Sequence, residues 1–85
     1  MNKTELAQDP NTSLEVLEEL ADDEHWYVRY WVAQNPNCSI KALEKLADDE
    51  DYSVRSYVTE NPNCPEYIKK FIEAKNYMEK HYGQD

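Results

Sequence analysis

Three Pro-Asn steps, Pro10-Asn11, Pro36-Asn37 and Pro62-Asn63, recur at an interval of 26 residues, and the chain between them copies itself. Leu20-Ala-Asp-Asp-Glu24 returns as Leu46-Ala-Asp-Asp-Glu50, and Val28-Arg29 returns as Val54-Arg55. A fixed period of this length marks a stacked repeat protein, in which each unit buries its apolar face only against its neighbours. One Gly and four Pro among 85 residues argue against a disordered or β-rich chain.

Within each unit the apolar spacing is helical. Residues 2–8 read as a truncated short helix, stopped where Asp9 precedes Pro10, because a residue before proline is pushed out of the α region. A longer helix is expected over about 13–22, with Leu14, Val16, Leu17 and Leu20 as its stripe and Thr12 with Glu15 as a capping box. A short helix over about 25–34 presents Val28, Trp31 and Val32. The second unit repeats this plan over about 39–48 (Ile40, Leu43, Leu46, Ala47) and 52–60 (Val54, Tyr57, Val58). The last helix, about 65–82, opens at Pro65, which suits a first helical position. Its stripe of Ile68, Phe71, Ile72, Lys75, Met78 and Tyr82 runs on where the others stop at Asp-Asp-Glu, which marks a terminal cap closing the core; Gly83 is placed to end it. The expectation is an all-α chain forming one domain over 1–85, a short α-solenoid with units at about 5–30, 31–56 and 57–64, the last continuing into a longer C-terminal capping helix.

LA-x-[DN]-P, then L-x-x-LA-D-D, then VR-x-x-V-[AT]-x-NP resembles the leucine-rich repeat variant family, a relative of HEAT-like α-solenoids, over about residues 5–64. The resemblance implies a right-handed superhelix of alternating α and short or 3₁₀ helices, here about two and a half units. It also implies binding to other macromolecules. Some members carry an N-terminal four-cysteine iron–sulfur segment; no cysteine precedes Cys38, so no cofactor is carried over.

Charge narrows the choice of partner. The chain has 18 Asp+Glu against 9 Lys+Arg, a formal net charge of −9, and all of it lies on residues 1–60. Such a surface repels nucleic acid and anionic lipid and attracts basic partners. With no apolar run long enough for a membrane and no apolar h-region at the N-terminus, the default location is cytoplasmic. Cys38 and Cys64 share one slot in successive units. Packed helices stand about 8–10 Å apart, too far for a disulfide, so two reduced, partly buried thiols are expected.

Asp22-Asp23-Glu24 and Asp48-Asp49-Glu50-Asp51 should emerge on one edge of the stack. Capping accounts for one or two of these acids, not for all. Glu15, Glu18, Glu19 and Asp22 share a helix face, where like charges cost a few tenths of a kcal/mol per pair; the second unit places Lys41 and Lys45 at the Glu15 and Glu19 slots. Arg29 and Arg55 are read as pairing with Asp or with helix-end carbonyls of a neighbouring unit. The Trp26/Tyr52 and Trp31/Tyr57 slots are aromatic twice and read as packing. Tyr27 and Tyr30 stand where the second unit has serines, so the fold does not demand them, and tyrosine favours interfaces. None of the carboxylates is expected to be buried. No nucleophile, phosphate loop or EF-hand spacing is present. The sequence therefore points to a non-enzymatic protein-interaction module without metal or cofactor, a monomer or weak homodimer. Its acidic, tyrosine-bearing first unit would dock on a basic protein surface; in the sharper version it is a nucleic-acid mimic that inhibits a nuclease or nucleic-acid-binding complex. A structural or self-assembling solenoid fragment, with charge serving solubility, is the alternative.

Overall fold

A computed structural model describes residues 1–82, and these residues form six helices with no strand among them. They are α1 (Lys3–Gln8), α2 (Leu14–Leu20), α3 (Trp26–Gln34), α4 (Ile40–Ala47), α5 (Tyr52–Glu60) and α6 (Glu66–Tyr82). The odd-numbered helices pack in one row, α1 on α3 on α5, and the even-numbered in a second, α2 on α4 on α6. The apolar positions of the repeat meet between the rows: Leu17 and Leu20, Val28 and Val32, Leu43 and Leu46, Val54 and Val58, Ile68 and Ile72 are all buried. Each such side chain contributes about 1.5–3 kcal/mol by leaving water.

The sequence stops each short helix before a proline, and the structure shows what else happens there. Asp9, Asn35 and Asn61 end α1, α3 and α5 in extended conformation. Each side chain folds over the next turn and accepts the N–H two residues on, from Asn11, Asn37 and Asn63, at 2.8 Å in all three cases. That leaves the amide nitrogens of the two asparagines, and both are spent on the preceding unit. Asn35 Nδ2 donates to the carbonyls of Ala7 and Asp9, each at 2.9 Å. Asn61 Nδ2 repeats this on Ala33 (2.8 Å) and Asn35 (3.0 Å). These carbonyls are among the last of α1 and α3, which the helix cannot satisfy itself. One buried asparagine per unit thus turns its own corner and ties off the helix before it. Asp9, at the same slot in the first unit, keeps only the acceptor half of the arrangement.

Several local expectations shift. Ser13, not Thr12, caps α2 by accepting the Val16 N–H at 3.2 Å; Thr12 is buried and donates its hydroxyl to the Leu6 carbonyl at 2.7 Å. A capping box does form, one helix earlier, where Asn2 and Glu5 exchange bonds of 2.8 and 3.0 Å. Leu14 and Ile40, which head the two predicted stripes as the first residues of α2 and α4, are exposed. Pro65 takes the Ser13/Ser39 capping slot, and α6 begins one residue later. Only Ile68 and Ile72 of the α6 stripe are buried; Phe71, Met78 and Tyr82 face outward, so closure of the core is the work of the first half of this helix. Gly83 lies outside the described residues.

Cys38 and Cys64 are free and buried, each sulfur lying 3.6–3.7 Å from the carbonyl of the following residue. Burial, with Glu18 adding to it, pushes the Cys38 thiol up to about 12. The folded protein should therefore leave Cys38 unalkylated by iodoacetamide at neutral pH while the urea-unfolded chain reacts, and equal labelling in both states would contradict this environment. Asn61→Ala takes the donor from the buried Ala33 carbonyl and one of two donors from the Asn35 carbonyl, which keeps the Cys38 N–H, and should cost about 1–3 kcal/mol, read as a lowered urea midpoint. Asn63→Ala, losing one exposed bond to the Pro36 carbonyl, should cost under about 1 kcal/mol by the same measure.

Candidate interaction surface

The two acidic loops do emerge side by side, between α2 and α3 and between α4 and α5. Together they line a cleft of about 490 Å³ bounded by Ala21, Asp22, Asp23, Glu24, Arg29, Lys45, Asp49 and Glu50. Their acids divide into two classes.

Asp23 and Asp49 point into the protein. Their side chains are each only 6% exposed, against the expectation that no carboxylate is buried. Each closes its own loop by accepting the N–H two residues on, Asp23 from His25 at 3.0 Å and Asp49 from Asp51 at 2.9 Å. Each also receives a cation from the unit before. Lys3 Nζ reaches Asp23 at 2.8 Å, and Arg29 grips Asp49 through Nε at 2.7 Å and a terminal nitrogen at 3.2 Å. The other terminal nitrogen of Arg29 donates to the Asp23 carbonyl at 2.7 Å, so one guanidinium spans both loops. Arg55 makes the matching bond to the Asp49 carbonyl at 2.6 Å. Lys3, Arg29 and Arg55 are spaced by 26, so Lys3 belongs to the arginine slot. Sequence reasoning passed it over because nothing around it repeats.

Arg55 carries the pattern into α6. It is 0% exposed, and with no third acidic loop available its Nε donates to Asn76 at 3.0 Å and its other terminal nitrogen to Glu79. The slot 26 residues beyond Asp49 is Lys75, which turns back to Asp48 at 3.0 Å. The arginine reading from sequence agrees for the pairing of Arg29 with Asp49 of the next unit, but the carbonyls bound lie in each arginine's own preceding loop and Arg55 takes a glutamate.

Other predicted site residues are also engaged. Asp51 caps α5, accepting the Val54 N–H at 3.2 Å. Glu18 accepts the Ser39 hydroxyl at 2.9 Å, and Asp22 holds Lys45 at 2.6 Å. The crowded face of α2 is therefore relieved across the unit boundary. Glu15, Glu19, Glu24 and Glu50 remain exposed, and none of the ion pairs among the described residues involves them.

The aromatics sort differently from their expected roles. Tyr27 is exposed, as its serine counterpart suggests. Tyr30 is half-buried, with its ring edge-on to Tyr57 at 4.8 Å, Trp31 at 5.3 Å and Trp26 at 5.7 Å. It packs because the next unit supplies Tyr57 as a partner. Trp31 and Tyr57 pack against the core as expected. Trp26 and Tyr52 do not: they stand 48% and 62% exposed at the first turns of α3 and α5. Each lies two residues after a free acid, Glu24 or Glu50. The surface repeat is therefore an acid with an aromatic ring, once per unit.

Among the described residues no group of three His, Cys, Asp or Glu side chains is placed to hold a metal ion, and no helix is long and apolar enough to cross a membrane. Asp23 gives the acidic edge a pH signature. The bond from Lys3, and then the His25 N–H, hold its carboxyl at about 2 instead of the ordinary 3.8. A depressed carboxylate stabilises the fold above its unfolded value and loses that contribution as pH falls toward its folded one. Asp23→Asn should lower the urea midpoint at neutral pH, with the gap from wild type closing between about pH 4 and about pH 2. A gap independent of pH would show that the charge of Asp23 is not what matters.

The repeat geometry agrees with what comparison with known proteins returns. No curated protein and no solved structure matches the chain. The model of the Leucine Rich Repeat Variant domain matches residues 1–48, more than half of the sequence, and the chain accordingly belongs to the leucine-rich repeat variant family.

Proposed function

We propose that this protein is a repeat-type protein-interaction module, a short right-handed superhelix of about two and a half units, and that its acidic edge binds an extended basic segment of another protein by its arginine or lysine side chains. Family membership supports the first part. The recurrence of Glu24 and Glu50 in the lining of the 490 Å³ cleft, each followed two residues later by an exposed ring, Trp26 or Tyr52, carries the second. A carboxylate beside an exposed ring suits a guanidinium, which can pair with the acid and lie over the ring face. The protein already uses this contact internally, with Arg55 standing 5.7 Å from the centre of the Tyr52 ring. Asp23, Asp49 and Asp51 take no direct part; they hold the two loops in register so that the free acids are presented together.

Spacing adds a specificity. Adjacent helices stand about 8–10 Å apart, and an extended chain rises about 3.3 Å per residue, so the two acid–aromatic pairs match cations three residues apart. In the sharpest form of this reading the partner is a nucleic-acid-binding protein whose positive groove takes the acidic edge in place of phosphate. Binding, not catalysis, is the mode of action.

Fluorescence anisotropy with labelled peptides carrying two arginines three residues apart tests the proposal. Binding should weaken steeply between about 0.1 M and about 1 M salt, as the screening length falls from about 10 Å to about 3 Å. Glu24→Gln with Glu50→Gln should weaken it by about tenfold or more, and Trp26→Ala should do likewise, while Glu5→Gln leaves it unchanged. Salt-insensitive binding, or full affinity in the double variant, would sink the electrostatic mechanism.

A further inference from the structure

The second half of α6 is wrapped in more apolar surface than the fold uses. Ile68 and Ile72 face the core, and Lys75, Asn76 and Glu79 continue that side by bonding to Asp48 and Arg55. A second stripe, Tyr67, Phe71, Ala74, Met78 and Tyr82, runs beside the first at spacings of four, three, four and four. This is the seam of one helix face. All five residues are exposed, the four large ones by 49–67%. Over a rise of about 1.5 Å per residue the stripe is longer than a monomer has reason to show to water.

Two features say what covers it. The four large residues of the stripe are placed symmetrically about the Ala74–Lys75 bond: Tyr67 mirrors Tyr82, and Phe71 mirrors Met78. A self-complementary order of this kind is what a two-fold interface between identical helices requires, because residue i of one copy meets residue j of the other and the reverse. The stripe also contains no acid. Residues 1–60 carry the whole net charge of −9, whereas α6 has Lys69, Lys70, Lys75 and Lys80 against Glu66, Glu73 and Glu79. A second copy is repelled from the repeats and not from this flank.

We propose that α6 pairs antiparallel with α6 of a second copy of this chain. Ala74, small and central, lets the helices approach, with Phe71 against Met78 on either side of it. The pairing brings Tyr82 of one copy to the level of Tyr67 in the other. There a cavity of about 230 Å³ opens between α4 and α6, lined by Glu44, Ala47, Tyr67, Ile68 and Phe71. Its single acid, Glu44, already accepts the Tyr67 hydroxyl at 2.6 Å and has oxygen lone pairs free for a second phenol. Each dimer fills two such cavities. None of Glu24, Trp26, Glu50 and Tyr52 belongs to the stripe, so the dimer would present two acidic edges.

Sedimentation equilibrium of the whole chain should show a concentration-dependent mass rising from 10.1 kDa toward twice that value. Phe71→Glu with Met78→Glu should raise the dissociation constant by about tenfold or more while circular dichroism stays helical, and Leu14→Glu, at an exposed apolar position of α2, should leave it unchanged. For orientation, chains with Tyr67→Cys mixed with chains with Tyr82→Cys should oxidise to a cross-linked dimer faster than either alone; the native thiols, being buried, do not compete. A mass fixed at one chain at all concentrations overturns the proposal, as does faster cross-linking within either single variant, which would mean a parallel pair.

Discussion

The whole arrangement depends on polar side chains that reach from one unit into the one before. An apolar stripe can hold two helices together but does not set their register, because hydrophobic contact has no direction. Asn35 and Asn61 supply the direction. Each binds two carbonyls of the preceding helix end and one N–H of its own turn, and it is buried where no water would replace those bonds. At the opposite ends of the same helices, Lys3, Arg29 and Arg55 do for the loops what the asparagines do for the turns. A unit displaced by one residue would lose both sets together.

This explains a division of labour that composition conceals. A net charge of −9 suggests a uniformly acidic surface, yet one of the repeated acid pairs, Asp23 and Asp49, has side chains only 6% exposed and matched by cations. Burying a carboxylate is costly unless its lone pairs are satisfied, and here backbone N–H groups and a cation satisfy them. The acids of these loops that stay exposed and outside the ion pairs of the described residues are Glu24 and Glu50. Their number is small, but they are spaced by the stack itself. Rigid internal clamps are what make a periodic surface out of flexible side chains.

The last helix shows how such a stack ends. Where the third acidic loop would fall, α6 continues, and Arg55 takes Asn76 and Glu79 in place of an Asp carboxylate. The charge at the vacated slot is inverted to Lys75, which pairs backward with Asp48. Buried polar bonds are therefore kept while the chain changes from short helices to one long one. Beyond that point Met78 and Tyr82 of the outer stripe stand more than half exposed.

Much of this was legible in the chain. The 26-residue period, the helix boundaries to within one or two residues, the burial of Val28, Val32, Leu43, Leu46, Val54 and Val58, and the inward pairing of Arg29 and Arg55 all follow from local pattern, because helix period and proline stops act over a few residues. What the sequence could not rank was exposure among chemically similar residues. Trp26 and Tyr30 are both aromatic, and Asp23 and Glu24 are adjacent acids, yet one of each pair is drawn in against a neighbouring unit and the other is left more exposed. That choice belongs to the neighbouring unit: whether Tyr57 arrives to pack, or Lys3 to pair. The same holds for α6, where the sequence reads Ile68, Phe71, Ile72, Met78 and Tyr82 as one stripe, while contact with α4 and α5 decides that only Ile68 and Ile72 are core. Local chemistry set the units and their edges; the partner across each unit boundary, which only the folded stack supplies, decided which side chains were left to act.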